Sequence, residues 1–305
     1  MTCLNLFLTY DINKLKGRDM NHNKFRTNED IRLIREMARL SQAELGKKTG
    51  VTTVTISRWE NGETSITDDN LERMYSFAYN EGIHLNEIKE QFYREELYPY
   101  EKLLFHGAKK TLEGPIRVDV ARENNDFGSG FYMGETFRQA ALFISNFANS
   151  CVYALSFDPK GLKRAEYQVD SEWLMTIAAF RGRLRGRASE EYLDKIYRKV
   201  NDADYIVAPI ADNRMYNIIN AFIDGEITDE QCRHSLAATN LGMQFVAHSE
   251  RAAERIKVLE RCYLCDKEKK TYVTNRAEDL SAADNKVRAA RIKYRGIGKY
   301  IDELL

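Results

Sequence analysis

The sequence has no excess of charge of either sign, because 46 basic residues balance 46 acidic ones. This balance excludes bulk attraction to nucleic acid or to an anionic membrane, so any nucleic-acid contact must be local. Long apolar runs are also absent, and residues 1–10 lack the basic segment and cleavage pattern of a signal peptide. We therefore expect no membrane partner. Residues 1–24 read as an N-terminal extension, with the start of the chain at either Met1 or Met20.

Cysteine is scarce, with five residues at positions 3, 151, 232, 262 and 265. An odd, scattered set does not form a disulfide framework and indicates a reducing compartment, for which the cytoplasm is the default. Cys262 and Cys265 have the spacing of half a zinc site, but no second pair of ligands follows them. We expect no metal.

Proline is scarcer still, and the first of four prolines stands at position 99. Because proline interrupts a helix, this position marks a natural domain boundary. Before it, apolar residues recur with helical spacing. After it, short apolar runs such as Cys151–Phe157 and Tyr205–Ile210 alternate with helical segments. The sequence predicts a multidomain protein, with an all-α domain at 25–95, an α+β domain at 100–260 and a helical tail at 261–305.

Residues 27–95 carry the spacing of five helices, with residues that helix ends prefer. The predicted caps are Thr27 with Asp30 as a capping box for the first helix, Ser41 and Gly50 at the two ends of the second, and Thr52 for the third. The third helix is expected to turn Val54, Ile56 and Trp59 inward.

Three segments of this region, Ser-Gln-x-x-Leu from Ser41, the Gly-Val turn and Ile-Ser-Arg-Trp-Glu-Asn-Gly from Ile56, resemble the Cro/repressor (XRE-type) helix-turn-helix family. The resemblance implies that the third helix enters a major groove of DNA. The side chains that it places on DNA are Thr53, Thr55, Ser57 and Arg58, with Gln42 near a phosphate. Alternatively the domain only dimerises or binds a protein, since residues 24–90 carry ten basic and twelve acidic residues and lack the surplus of a strong DNA binder.

A second candidate site lies in Arg122–Tyr132, where charge, glycine and aromatic residues crowd together without helical or strand periodicity. Glycines such as Gly128 allow a ligand to approach the backbone. Arg122 is a planar cation suited to phosphate or carboxylate. About twenty residues upstream, Leu103–Gly107 reads as a short buried strand that ends in a histidine and a glycine.

These two elements resemble the first motifs of the ADP-ribosyltransferase fold, in particular an uncharacterised bacterial branch. Three later segments, 203–212, 223–227 and 244–249, extend the resemblance from about Glu101 to Leu259. It implies that NAD is the substrate. The residues that it assigns to NAD are His106, Gly107, Arg122, Asp126, Gly128 and Tyr132, and those that it assigns to catalysis are Gln244 and Tyr132. Structural explanations stay open, with His106 as a strand-end residue, Tyr132 as a core aromatic and Arg122 as the ion-pair partner of Asp126.

ADP-ribosyl transfer breaks the bond between nicotinamide and ribose through a positively charged transition state, which the enzyme must stabilise. The family's usual catalytic glutamate aligns with Gln244. A neutral amide orients a ribose hydroxyl but does not offset positive charge. Three explanations remain: an unusually nucleophilic target, help from a nearby acid such as Glu250 or Asp126, or binding of NAD without transfer.

Together, the two resemblances imply a cytoplasmic bacterial NAD-dependent mono-ADP-ribosyltransferase fused to a DNA-binding helix-turn-helix, acting as a toxin or phage-defence effector that controls its own expression. Its expected partners are DNA, an ADP-ribose acceptor of protein or nucleic acid, an antitoxin and a second copy in a homodimer. The alternative is a transcriptional regulator whose degenerate transferase-like domain senses NAD or ADP-ribose, which Gln244 favours. A third interpretation, an interaction scaffold, is disfavoured by intact His106, Arg122 and Tyr132.

Overall fold

The computed structural model describes residues 25–120, 124–210, 213–237 and 242–305. Within these ranges the chain forms two compact units. The first takes the described residues of the ranges Met1–Gly114, Thr136–Phe157 and Lys257–Thr274, and the second takes those of Pro115–Glu135, Asp158–Ile256 and Asn275–Leu305.

The helices of the described residues fall into an N-terminal group of five and a later group that alternates with strands. They are α1 (Thr27–Met37), α2 (Gln42–Thr49), α3 (Thr53–Glu60), α4 (Asp68–Asn80), α5 (Leu85–Glu96), α6 (Phe137–Ile144), α7 (Ser171–Phe180), α8 (Glu190–Asn201), α9 (Asn213–Ile223), α10 (Asp229–Ala237), α11 (Glu250–Ala253) and α12 (Asp266–Lys293), followed by a short 3₁₀ helix at Ile301–Glu303.

The strands of the described residues make one mixed sheet in the order β4-β5-β6-β2-β1-β3-β7. They are β1 (Lys102–Ala108), β2 (Phe131–Gly134), β3 (Cys151–Phe157), β4 (Arg164–Glu166), β5 (Tyr205–Pro209), β6 (Met243–Ala247) and β7 (Ile256–Cys262). Strands β4 and β5 pair in parallel, whereas β5 with β6, β2 with β6 and β1 with β3 pair antiparallel. A helical N-terminal region followed by a mixed α/β region is therefore confirmed.

The capping signals of the helical region are confirmed for α2 and α3. Ser41 accepts a bond from the Glu44 amide in a capping box, and Thr52 accepts one from the Thr55 amide. Gly50 ends α2 with a φ of 73°, a left-handed conformation that favours glycine.

The capping box predicted for the first helix is wrong. Helix α1 starts at Thr27, its N-cap residue is Arg26, and that cap makes no side-chain hydrogen bond. Asp30 is instead completely buried and faces a cation from another helix. A long-range ionic partner thus replaces the local role that the sequence indicated.

A buried ionic cluster joins α1, α4 and α5 to strand β7 in the first unit. The ammonium of Lys89 lies 2.9 Å from both carboxylate oxygens of Asp30 and also donates to Glu260. The hydroxyl of Tyr75 donates to Asp30, and that of Tyr93 donates to Glu260. Burial raises the pKa of Asp30 to about 6, although attraction to Lys89 opposes the shift. The cluster is stable only with all its members, since each charge is out of reach of water.

Further contacts fasten the helical region to the residues around and after β7. Arg26 donates to the Leu259 carbonyl at 3.0 Å, and Asn86 donates to the Tyr263 carbonyl at 2.9 Å. The Tyr263 hydroxyl in turn donates to Glu72 at 2.9 Å. The helical region therefore shares one unit with β1, β3 and β7.

The core of the second unit forms where α7, α9 and α10 cover strands β5 and β6. Trp173, Phe222 and Val246 are completely buried in it, together with Phe127 from the loop before β2. Ile301, from the 3₁₀ helix near the end of the chain, also enters this core.

The cluster yields a stability prediction. Lys89→Ala leaves Asp30 and Glu260 buried without their cation, so we expect it to lower the free energy of unfolding by about 3–5 kcal/mol. Denaturant titration of the full chain measures this loss.

Lys48→Ala is the matched control, because its ammonium lies 3.6 Å from Glu81 at an exposed position. We expect a change of about 0–1 kcal/mol in that variant. Equally small losses in both variants would contradict the role of the cluster.

Candidate functional site

The two helices of the candidate DNA-binding element, α2 and α3, are joined by a tight turn. A Cβ atom at Gly46 would lie 2.6 Å from the Val51 carbonyl oxygen, so only glycine fits where the turn folds back on α2. Gly50 supplies the left-handed residue. These two glycines therefore permit the tight turn between α2 and α3.

Helix α3 buries Ile56, Trp59 and Glu60. Of the predicted DNA-facing residues, Thr53 and Arg58 are exposed, while Thr55 and Ser57 are half-buried. The prediction that Val54 turns inward is wrong, because its side chain is 60% exposed. At 100° per residue Val54 lies nearly opposite Ile56, so it belongs to the outer face.

Glu60 is a buried carboxylate that holds the helical element together. Arg35 donates to it at 2.6 Å, and the amide of Gln42 donates to it at 2.9 Å. The inner contact of Gln42 is thus with a carboxylate, and its role near a phosphate stays a prediction.

The loop before β2, in the second unit, is fastened by its own residues. The Tyr132 hydroxyl donates to the Gly128 carbonyl at 2.8 Å and accepts from the Phe127 amide at 3.2 Å. Gly128 has a φ of 74°, which favours glycine. Burial raises the pKa of the Tyr132 phenol, so its hydroxyl stays protonated and keeps both bonds.

An ion pair holds the start of this loop. Arg181, at the end of α7, donates to the Asp126 carboxylate at 2.7 Å. Burial raises the pKa of Asp126, while Arg181 and a hydrogen bond from Gln244 act in the opposite direction. The Gln244 amide also donates to the Pro209 carbonyl at 3.0 Å. Asp126 and Gln244, separated by 118 positions, are thereby brought together.

The other end of the loop lies on strand β6. A Cβ atom at Gly130 would lie 2.6 Å from a methyl carbon of Val246, so glycine is needed for this approach. The His248 ring lies 3.0 Å through Nδ1 from the Ser129 carbonyl oxygen, which only accepts, so Nδ1 carries a proton. Burial lowers the pKa of His248.

The register of β2 and β6 places Tyr132 and Gln244 on one face of the sheet. Gly134 pairs with Gln244 and Tyr132 pairs with Val246. Because side chains alternate between faces, residues two apart on these paired strands share a side.

The remaining candidates belong to the first unit or lie outside the described residues. His106 and Gly107 lie on β1, where His106 is opposite Tyr153. A Cβ atom at Gly107 would lie 2.7 Å from the Ala140 carbonyl oxygen, so this glycine lets α6 pack against the strand backbone. Arg122 lies outside the described residues, so its ion pair with Asp126 stays untested.

Comparisons with protein families match two parts of the chain. A helix-turn-helix family matches residues 31–74, and a family described as Protein of unknown function (DUF3990) matches residues 103–258, just over half of the chain. The chain belongs to the DUF3990 family. It also carries a helix-turn-helix DNA-binding domain, as the sequence predicts. No curated protein and no solved structure matches the chain.

Two residues that hold the site in the DUF3990 domain are not among the candidates that the sequence indicates. Arg181 is one of four arginines between 181 and 187, a pattern typical of a solvated face, yet its side chain is 12% exposed and pairs with Asp126. His248 holds Ser129, 119 positions away. Separations of this size leave no local signal, so only the fold identifies these partners.

Neither a metal-binding cluster nor a membrane-spanning helix is found in the described part of the chain. There, no group of three or more His, Cys, Asp or Glu side chains is arranged to hold a metal ion. The thiols of Cys262 and Cys265 are buried, and burial raises the pKa of Cys265 to about 11. None of the described helices has the length and apolar character needed to cross a bilayer.

The DNA-binding domain yields a second prediction. Arg58→Ala removes an exposed cation of α3, and we expect it to weaken binding to the chain's own promoter by about 1–3 kcal/mol if Arg58 contacts a base. Gel-shift titration at two salt concentrations measures the loss. Thr53→Ala, at the exposed start of α3, is the companion variant.

Lys110→Ala is the matched control, because it removes one exposed cation outside the helical region. Its promoter affinity should equal that of the unaltered protein. Promoter binding that is insensitive to Arg58→Ala would remove α3 from the DNA contact and favour a protein-binding role for the domain.

Proposed function

We propose that the DUF3990 domain is an NAD-dependent mono-ADP-ribosyltransferase, joined in one chain to a DNA-binding domain that controls its own expression. The observation that carries the proposal is the fastened loop of the second unit, with Tyr132 and Gln244 on one face of the sheet. A loop held by its own hydrogen bonds orders its residues before a ligand arrives, which lowers the entropy cost of binding.

Tyr132 is proposed to stack on the nicotinamide ring. Its hydroxyl is occupied by Phe127 and Gly128, so the ring has a fixed orientation. His106 and the Gly107 backbone are proposed to bind the adenosine ribose and the nicotinamide amide, and Arg122 the diphosphate or the nicotinamide side. These three roles follow from the resemblance to the transferase fold.

Gln244 is proposed to accept a hydrogen bond from a ribose hydroxyl. Its amide nitrogen serves Pro209 and Asp126, which leaves the amide oxygen as the atom that can face a sugar. A glutamate accepts the same hydrogen bond through a carboxylate oxygen, so glutamine in its place still orients the ribose. What it loses is negative charge beside the developing oxocarbenium, which is why the proposal requires a strongly nucleophilic acceptor.

The second candidate function is a regulator whose DUF3990 domain binds NAD or ADP-ribose without turnover. It is favoured by the neutral character of Gln244, whose side chain is buried and tied to Pro209. The transferase remains our first choice because Tyr132 and Gln244 are both ordered on one face. Its place as a toxin or phage-defence effector, its antitoxin and its dimerisation rest on the resemblance alone.

The third prediction separates the two functions. If Gln244 acts mainly in the transition state, Gln244→Ala keeps the affinity for NAD and loses transfer on the order of a hundredfold. Calorimetry measures NAD binding, and labelled NAD with cell lysate, followed by nuclease or protease, measures transfer and identifies the acceptor class. Gln168→Ala, at an exposed glutamine of the same unit, is the matched control.

Gln244→Glu is the sharper variant, but it has a structural cost. A carboxylate there cannot donate to Pro209, and it repels Asp126, so its thermal stability must be measured beside its activity. Transfer by the unaltered protein that falls in Gln244→Ala supports the enzyme. NAD binding with no turnover in any protein supports the regulator, and absence of NAD binding contradicts both.

A further inference from the structure

A segment near the end of the chain departs from its overall charge balance. Residues 285–299 contain six lysines and arginines and no acidic residue, whereas the whole chain has equal numbers of each. Four of these cations are exposed: Arg288, Lys293, Arg295 and Lys299. We call these four residues the C-terminal basic face.

The opposite side of this segment contacts other residues of the second unit. The side chain of Gln231 donates to the Arg291 carbonyl at 2.8 Å. The rings of Tyr294 and His234 stack with centroids 3.6 Å apart. Contacts with Gln231 and His234 therefore hold the helix that carries the basic face.

The turn that follows α12 is held in the same way. Thr228 donates through its hydroxyl to the Ile297 carbonyl. The Lys299 amide donates to the Asp229 side chain at 2.8 Å, while the Asp229 amide donates to the Lys299 carbonyl at 2.9 Å. These bonds use the backbone of Lys299 and leave its side chain exposed.

Two acidic residues near this segment already have partners. Glu226 pairs with Arg291 at 3.7 Å, and Glu230 pairs with Arg233 and His234. They therefore do not pair with the basic face, whose four cations outnumber the exposed Asp284, one helical turn before Arg288.

The helix dipole explains the placement of only one of the four cations, Lys293 in the last turn of α12. Cations near a helix C-terminus gain from the dipole only within the last turn. Arg288 precedes the last turn of α12, and Arg295 and Lys299 follow its end at Lys293. Ile292, exposed by 72%, lies one helical turn from Arg288 and adds apolar surface between the cations.

We propose that the C-terminal basic face contacts the phosphate backbone of duplex DNA. The helix-turn-helix region lacks the basic surplus that phosphate binding needs, since residues 24–90 carry ten basic and twelve acidic residues. Phosphate contacts supply most non-specific DNA affinity and release counterions. The basic face supplies such contacts from another part of the same chain, and this proposal does not depend on the transferase chemistry.

The test is the salt dependence of binding to a random-sequence 30-base-pair duplex, measured with the full chain. The variant combines Arg288→Gln, Lys293→Gln and Arg295→Gln. Each lost phosphate contact reduces the slope of log affinity against log salt by about 0.9, so we expect a reduction of about 2.7. Thermal melting checks that the exposed substitutions leave the fold intact.

The matched control combines Lys160→Gln, Lys195→Gln and Arg198→Gln, three exposed cations of the same unit. Its slope should equal that of the unaltered protein. An unchanged slope in the basic-face variant would overturn the proposal and favour an acidic protein as the partner of this surface. Equal reductions in both variants would overturn it too, since the effect would then reflect net charge alone.

Discussion

The buried ammonium of Lys89 is the interaction on which the first unit depends. It comes from α5, and its two carboxylate partners come from α1 and β7. A buried charge is tolerated only while its partners remain in place, because the cost of leaving it unpaired exceeds that of losing most surface contacts. Helix α1, which supplies Asp30 to the cluster, also packs against α3. The cluster therefore links the DNA-binding helix to β7, the strand at the edge of the sheet. We therefore expect the helix-turn-helix to unfold together with β3 and β7, which belong to the same compact unit.

The candidate site of the second unit is likewise held by an ion pair with little exposure to water. Asp126 is half-buried beside Arg181 and Gln244, and the loop that follows is closed by the hydroxyl of Tyr132. Much of the motif thus serves to hold the loop, which explains its charge and glycine content without a ligand contact for every residue. The proposed chemistry is then concentrated in the ring face of Tyr132 and the oxygen of Gln244.

Sequence predicts the local features of this fold well, because their causes are local. Ser41, Gly50 and Thr52 end helices through bonds to residues a few positions away, and the caps are where the pattern indicates. The first capping box fails because Asp30 has a stronger partner 59 positions along the chain. Asp126 and Arg181 have no local signal either, since 55 positions separate them. In the candidate site, the crowding of charge, glycine and aromatic residues identifies the segment Arg122–Tyr132 from the sequence. The bonds that hold its loop are known only from the fold.

Native-state hydrogen exchange as a function of denaturant tests the central claim, that α1, α5 and the strands β3 and β7 unfold as one body. The most protected amides of these four elements should converge on a single opening free energy, equal to that of global unfolding. Amides of α1 and α5 that instead exchange through a separate opening, well below the value for β3, would show that the helical region unfolds alone and would contradict the account.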